Sequence, residues 1–168
     1  HVNTVALVDG VPHTLSLKTI LEEFVKHRII VIRRRTQFDL THAEDREHIL
    51  LGLKKALDHI DEIITLIRAS KDAPEAHAGL MKKFKFTDKQ ATAIMDMRLY
   101  QLTGLERDKI EQEYIETIKL ISYLRDLLDN PDKIYGLMKD DLRELAEKYG
   151  DERRTAIVPS EGEMDMED

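Results

Sequence analysis

The strongest chemical signal in this sequence is a cluster of five cations near its start. Lys26, Arg28, Arg33, Arg34 and Arg35 fall within ten residues, and no acid lies among them. Such a cluster can neutralise the phosphates of DNA and make binding dependent on salt. Helical spacing would spread these side chains around the axis, so the alternative is a solvated collar that pairs with acids of neighbouring segments. Both interpretations stay open on the sequence alone.

Other residue types that carry chemistry are scattered along the chain. The seven histidines form no i, i+4 pair and have no nearby ligand cluster, so no metal site is predicted. The glycines are dispersed rather than gathered in a phosphate loop, and no serine lies in a nucleophile elbow. Acidic pairs such as Asp61–Glu62 and Asp140–Asp141 are predicted on solvated helix faces. We therefore expect no catalytic residue, metal or cofactor in this chain.

Two helices that meet at a corner are predicted within the stretch Thr87–Ile110. Thr87 is followed three residues later by Gln90, and Thr103 by Glu106. Both pairs match the capping box, so one helix should start near residue 88 and another near residue 104. Between these caps, apolar residues recur at steps of three or four, which predicts one helix of about four turns. A helix that short is stable only when its apolar face is covered.

The segments around this corner predict an arm of two long helices. A hairpin is predicted at Asp9-Gly10. From Leu17 there is no proline or glycine until Gly52, which predicts one long helix from Ser16 to about Ala56. A coiled-coil-like repeat ends this half of the arm, with the members Leu50, Leu53, Leu57, Ile60, Ile64 and Ile67. A second long helix is predicted over Leu105–Asp129. The predicted fold class is mainly α, a long antiparallel coiled-coil arm with a small helical head and a short N-terminal β-hairpin remnant.

The predicted order of segments follows from these signals. Asp72 and Pro74 predict a short helix over Ala73–Phe84, and Asn130-Pro131 predicts the start of a last helix. The segments are 1–15, a hairpin remnant of a preceding domain; 16–60, the ascending helix; 61–102, the helical head and gate; 103–129, the returning helix; 130–150, the final helix at the base of the arm; and 151–168, an acidic linker. We interpret the chain as a piece of a larger protein.

The apolar face of the helix at the corner is the candidate contact between two copies of the chain. Its predicted members, with neighbouring Leu105, are Ala91, Ile94, Met95, Arg98, Leu99 and Leu102. Self-complementary patches are the usual way in which homodimers close. Exchange of Ile94 or Leu102 for Glu is expected to dissociate the dimer with little loss of helix. The alternative is that these residues only cover the arm's own core.

Composition and charge narrow the function classes. A chain of 168 residues with 42% hydrophobic, 35% charged and 5% aromatic residues suits long helices with narrow apolar stripes. It has no cysteine, no apolar run near the roughly 20 residues of a membrane span and no signal peptide, which predicts a cytoplasmic location without a membrane. The formal net charge is −7, and acids in 161–168 contribute −5 of it, so overall acidity does not exclude nucleic acid.

Several stretches resemble one known family over nearly the whole chain. They are LVDG in the hairpin, RRRTQFDL in the first helix, QATAIMDMRLYQLTGLERDKI at the corner and YGDERRTAI near the end. They resemble the exit-gate region of the A subunits of bacterial type IIA topoisomerases, those of DNA gyrase in particular. The A subunit of topoisomerase IV is the rival within the family. A coiled-coil scaffold for an unrelated partner and a nucleic-acid-binding module are the alternatives outside it.

The resemblance implies an exit gate that holds two subunits together while a double-strand break is open. It further implies a homodimer, a B subunit in an A2B2 heterotetramer, double-stranded DNA, a nucleoid location, and an ATP-hydrolysing isomerase as parent. The Mg2+ and ATP of such enzymes are used through the partner subunit. In the family, the tyrosine that attacks DNA follows an arginine. Cleavage by this chain is not expected, because none of its tyrosines directly follows an arginine; they are Tyr100, Tyr114, Tyr123, Tyr135 and Tyr149.

Overall fold

A computed structural model describes residues 3–158, and within them a two-stranded hairpin is followed by six α-helices. The remaining positions, among them most of the predicted acidic linker, lie outside the described residues. The elements are β1 Thr4–Val8, β2 Val11–Leu15, α1 Leu17–Asp58, α2 Ile60–Ala69, α3 Ala73–Phe84, α4 Asp88–Met95, a 3₁₀ turn Leu99–Leu102, α5 Gly104–Asp129 and α6 Pro131–Tyr149. The predicted fold class, a helical arm with a head and a short hairpin, is confirmed.

The hairpin turns at Asp9 and Gly10, as predicted. Both residues have positive φ, 51° and 80°, which is the backbone of the tight turn whose twist matches two antiparallel strands. The register pairs Val8 with Val11 and Leu7 with Pro12. Proline donates no ladder hydrogen bond, and this two-stranded sheet tolerates it because both of its strands are edges.

The arm consists of α1 and α5, which run antiparallel. Ser16 caps α1 by accepting a hydrogen bond from the Thr19 amide at 3.2 Å. The 42 residues of α1 make it about 63 Å long at 1.5 Å per residue. Within the described residues, no helix is both long enough and apolar enough to cross a membrane.

Ion pairs between α1 and α5 fix the register of the arm. Arg46 donates two hydrogen bonds to the Glu113 carboxylate, at 2.7 and 2.8 Å, and Lys54 Nζ lies 2.7 Å from Glu111 Oε1. Further along, Arg125 of α5 pairs with an acid of α1, and Arg107 does the same nearer the head. Because the α5 partner moves to lower numbers as α1 ascends, the pairs follow an antiparallel alignment.

Two apolar clusters fill the arm. The middle cluster joins both helices and consists of Leu40, Ala43, Ile121 and Leu124. The cluster at the base brings in α6 and consists of Ile32, Leu127, Ile134 and Met138. Asp141 of α6 also accepts a hydrogen bond from Arg28 of α1 at 2.8 Å, so the final helix is held to the base by packing and by charge.

The head is a third cluster, built from the end of α1 and the short helices α2, α3 and α4. Its buried members are Ala56, Ile63, Leu80, Phe84, Phe86, Ala91 and Ile94. The helix predicted over Ala73–Phe84 is confirmed, with Asp72 Oδ1 accepting from the Glu75 amide at 2.9 Å. Lys55 Nζ donates to the Phe84 carbonyl at 2.6 Å and lies 5.1 Å from the centre of the Phe86 ring. The top of α1 is therefore part of the head.

The coiled-coil repeat predicted from Leu50 to Ile67 is not one continuous stripe. α1 ends at Asp58, and His59 has φ −119° and ψ 25°, so α2 starts as a separate helix. In α2 the buried residue is Ile63, whereas the three predicted members of the repeat in this helix are half-buried. The sequence period passes through a bend in the chain, and beyond it α2 packs mainly against α3.

Candidate functional site

The corner between head and arm starts at the N-terminus of α4, where the predicted capping box is confirmed. Thr87 Oγ1 accepts from the Gln90 amide at 3.4 Å, and Gln90 Oε1 accepts from the Thr87 amide at 3.1 Å. The Gln90 side chain also donates to the His48 carbonyl of α1 at 2.8 Å, while His48 Nε2 lies 2.7 Å from Thr87 Oγ1. The cap therefore fastens α4 to the arm as well as starting the helix.

A close approach between α1 and α4 depends on Gly52. A Cβ atom at Gly52 would lie 2.6 Å from Gln90 Cγ and 2.9 Å from Gln90 Cβ, closer than real side chains pack. Gln90 is 7% exposed even though it is polar. Sequence reasoning missed this contact; its signal is the one glycine within an otherwise glycine-free long helix.

The four-turn helix predicted between the caps is wrong. α4 ends at Met95, the backbone is extended at Arg98, and a short 3₁₀ turn follows over Leu99–Leu102. The Gln101 side chain accepts a hydrogen bond from the Arg98 amide at 2.8 Å, so a local side-chain bond replaces the helical bond at this point. The residues of the predicted helical face are consequently divided between α4 and the 3₁₀ turn.

Two residues predicted to meet a partner lie inside the chain's own head. Ala91 is 0% exposed and Ile94 is 5% exposed, and both belong to the head cluster. Met95 is half-buried and packs against that cluster. The prediction that Ala91 and Ile94 face another copy is therefore wrong as to place, because their own chain already covers them. Ile94→Glu is therefore expected to destabilise the head, and the earlier expectation that it dissociates the dimer by disrupting the contact surface is withdrawn.

The uncovered part of the predicted surface lies after α4, and we call it the corner surface. Leu105 is 69% exposed, Arg98 is exposed, and Leu102 is half-buried. The Leu99 side chain lies outside the described residues. The same surface includes half-buried Met97 and Tyr100, which is 55% exposed and which the sequence prediction did not assign to the contact. The corner surface is thus defined as Met97, Arg98, Tyr100, Leu102 and Leu105.

The second predicted capping box is wrong. α5 starts at Gly104 as expected, but the Thr103 side chain makes no cap hydrogen bond. Glu106 instead pairs with Lys109 of its own helix. The corner is held by Arg107 of α5, which pairs with Asp58 at the end of α1. The start of α5 is therefore joined to α1 by an ion pair, whereas the sequence predicted that a local cap would fix it.

The five predicted cations divide into two groups. Lys26 pairs with Glu23 at 2.6 Å, and Arg28 pairs with Asp141 at 2.8 Å. The hydrogen bond that Lys26 donates to Glu23, followed by the Glu23 charge, raises the pKa of Lys26 above its usual value. Arg33, Arg34 and Arg35 are exposed, and we call these three the arginine patch. No carboxylate of residues 3–158 forms an ion pair with the arginine patch.

Histidine, carboxylate and tyrosine side chains are the other groups of the chain that could carry chemistry. Across the described part of the chain, no three histidine or carboxylate side chains come together as a metal site. Tyr114 is half-buried with Lys54 Nζ at 5.3 Å from its ring centre, while the four other tyrosines are exposed. The geometry suits binding surfaces: an apolar one at the corner and a cationic one on the arm.

Comparison with known proteins decides the family of this arm and head. Residues 1–143 match the family model for the A subunit of DNA gyrase/topoisomerase IV. The chain belongs to this family of DNA gyrase/topoisomerase IV A subunits. It is 54% identical over 167 residues to the DNA gyrase A subunit of Clostridium acetobutylicum, covering 99% of this chain and 20% of that protein. It is 52% identical over 167 residues to that of Halalkalibacterium halodurans, with coverage of 99% and 20%.

The resemblance carried by the corner, hairpin and arm motifs is confirmed within this family. A further relative, the DNA gyrase A subunit of Streptococcus pneumoniae, is 49% identical over 156 residues, covering 93% of this chain and 19% of that protein. The names of these gyrase relatives favour gyrase over topoisomerase IV. The chain spans about a fifth of the length of the curated relatives it matches, with 20% coverage of the first two.

Proposed function

We propose that this chain forms the exit gate of a DNA gyrase A subunit, in which two copies meet through their corner surfaces. The observation that carries the proposal is the exposure of Leu105 and Tyr100, 69% and 55%, at the far end of the arm from its base. Apolar side chains gain free energy when they leave water, and a second copy offers the same apolar surface. A two-fold axis lets this surface serve both copies.

The composition of the corner surface suits a contact that parts and re-forms. A gate needs a contact of more than about 1,000 Å² to stay closed under strain. Met97 lies in this surface and Met95 lies beside it, and unbranched thioether side chains repack at low cost. Arg98 adds a charge that must be hydrated again when the surfaces separate, which favours reversible opening over permanent fusion.

The parent protein is proposed to be a type IIA topoisomerase, an ATP-hydrolysing isomerase of composition A2B2 that passes one DNA duplex through another in the bacterial cytoplasm, at the nucleoid. The gyrase names of its relatives support this proposal. Among residues 3–158, no three or more histidine or carboxylate side chains come together as a metal cluster. We propose that Mg2+ and ATP act through the B subunit, whereas this chain alone does not cleave DNA. Its contribution is to hold and release the second copy.

Sedimentation equilibrium of a matched pair of variants tests the gate. Leu105 lies in the first turn of α5, where a carboxylate is favoured by the helix dipole, so Leu105→Glu should leave the fold intact and convert the dimer to monomer. Leu120→Glu places the same charge at a 48% exposed leucine in the middle of the arm and should leave the dimer unchanged. A monomeric unaltered chain at tens of micromolar, or equal effects of both variants, contradicts the proposal.

A further inference from the structure

Cations of the upper arm form ion pairs between α1 and α5, whereas, within residues 3–158, the arginine patch lies in a part of α1 without such pairs. Cations of the upper arm face carboxylates of the opposite helix, as Arg46 does with Glu113 at 2.7 Å and Lys54 with Glu111 at 2.7 Å. Among the described residues, the arginine patch has no such partner within 4.0 Å. Three adjacent like charges without such a partner repel one another, and an anionic partner would relieve that repulsion.

The patch lies on the side of α1 that faces away from the arm's core. Ile32 and Thr36, which flank it in sequence, are 1% and 3% exposed and define the buried stripe. Successive helical residues are about 100° apart, so Arg34 lies near the middle of the outer face and the other two arginines lie on its flanks. The three guanidinium groups therefore fan outward and do not converge on one point.

This divergence decides the class of anion. A small anion such as inorganic phosphate is bound by donors that converge on it from several directions, which a convex helix face does not supply. An extended polyanion presents charges at many positions along its length, and double-stranded DNA carries one for every roughly 1.7 Å of its axis. Arginine also forms two parallel hydrogen bonds to a phosphate, which lysine does not. The geometry fits a phosphate backbone that lies across α1.

We propose that the arginine patch is a contact for the phosphates of double-stranded DNA, independent of DNA sequence. The choice of DNA among polyanions rests on the proposed gate, through which a duplex would leave along the arm. Arg34 is separated from the head by more than 20 residues of α1, or about 35 Å. A duplex held at the patch therefore leaves the corner surface free, so DNA binding and dimer contact are separate properties.

Phosphate contact has a quantitative signature in salt dependence. Each neutralised phosphate contributes about 0.9 to the slope of log affinity against log salt concentration. Replacing all three arginines should therefore lower the magnitude of that slope by about 3 and weaken binding at low salt by about tenfold or more. Because no base edge is read, the loss should be the same for duplexes of different sequence.

Fluorescence anisotropy of a labelled short duplex, titrated with the chain over a salt series, tests the proposal. R33Q/R34Q/R35Q should show the tenfold loss and the lower slope. K119Q/K139Q/R143Q removes the same charge from exposed positions on α5 and α6 and should bind nearly as well as the unaltered chain. No measurable binding by the unaltered chain, or equal losses in both variants, overturns the proposal.

Two further readouts separate the patch from its rivals. Polyglutamate and vesicles of anionic lipid, used as competitors at matched charge concentration, should displace the duplex poorly; stronger binding to either one than to DNA overturns the choice of DNA.

Sedimentation equilibrium of R33Q/R34Q/R35Q should still show a dimer, because the patch and the corner surface are far apart. A DNA defect with an intact dimer supports the patch as a site of its own and leaves the gate proposal untouched.

Discussion

The head and the corner surface are neighbours in sequence and differ in what covers their apolar side chains. In the head, Leu80 and Ala91 are both 0% exposed, whereas Tyr100 and Leu105 at the corner are 55% and 69% exposed. Helical spacing of apolar residues leads into both regions without a visible change. The comparison teaches that spacing identifies a face that must be covered, while the path of the chain decides whether its own residues cover it.

The sharpest test of this comparison is Ile94→Glu against Leu102→Glu. Ile94 is 5% exposed within the head, so a carboxylate there is buried without a partner and should reduce the free energy of unfolding by about 4 kcal/mol. Leu102 is half-buried at the corner, so the same change should weaken the dimer and leave most of that free energy in place. Urea unfolding followed by circular dichroism measures both. Similar losses of stability would remove the distinction between head and corner.

Local signals explain why much of the fold is predictable. The hairpin at Asp9-Gly10, the start of α3 after Asp72 and the absence of helix breakers through most of α1 each depend on a few adjacent residues. The structure of the corner depends instead on side-chain interactions that compete with continuation of the helix. Gln101 hydrogen-bonds the Arg98 amide, and Arg107 pairs across the arm, neither of which the helical period reveals.

The same reasoning explains which part of the candidate site was predictable. Leu102 and Leu105 were assigned to the predicted contact because apolar spacing extends to them, and the structure leaves Leu105 exposed and Leu102 half-buried. Ala91 and Ile94 were misplaced because a period carries no information on which element packs against it. For the basic cluster, the sequence identified the charges. The partner of Arg28, Asp141, is far away in the same chain and comes close because α6 packs against α1.

The contact between Gly52 and Gln90 offers a second way to break the comparison. An added methyl group at Gly52 would meet the Gln90 side chain at 2.6 Å and force α4 away from the arm. Gly52→Ala should therefore cost about 1–3 kcal/mol of stability despite the better helix propensity of alanine. Gly136→Ala in α6 is the matched control, since nothing lies within 4 Å of the added atom and a slight gain is expected. Equal changes in urea midpoint would contradict the close approach.

The two threonine caps differ in the same way as the regions they introduce. Thr87 accepts a cap hydrogen bond and contacts His48, whereas the Thr103 side chain makes no cap bond. Thr87→Ala should lower stability by about 1 kcal/mol, and Thr103→Ala should change it by much less. Thermal unfolding of the two variants at one protein concentration decides the matter. A larger loss of stability for Thr103→Ala would indicate that Thr103 does cap α5, contrary to the structure.

The smallest expected effect is in how stability depends on pH through the contact between α4 of the head and α1 of the arm. The hydrogen bond from Lys89 of α4, followed by its charge, lowers the pKa of Asp45 of α1 below 3.8. A carboxyl group whose folded pKa is lowered stabilises the fold above its unfolded pKa and loses that contribution as the pH falls through the folded value. Asp45→Asn should therefore lose less stability than the unaltered chain on acidification from about pH 5 to pH 2, with high salt reducing the difference.

An exposed acid of the same helix supplies the control for that pH series. Asp39 belongs to no ion pair among residues 3–158, so Asp39→Asn removes an exposed carboxylate of α1 without removing such a pair. Identical pH profiles for Asp45→Asn and Asp39→Asn would show that the ion pair between Asp45 and Lys89 contributes nothing to the stability of the contact between α1 and α4.

The most direct measurement for the gate is the distance between two copies at each end of the arm. The chain has no cysteine, so single spin labels can be placed at D108C beside the corner surface and at E22C near the base. Pulsed dipolar spectroscopy of each labelled protein gives the distance between the copies. Contact through the corner surface predicts a short distance at position 108 and a clearly longer one at position 22. Absence of dipolar coupling at position 108, or a shorter distance at position 22, would contradict a gate at the head.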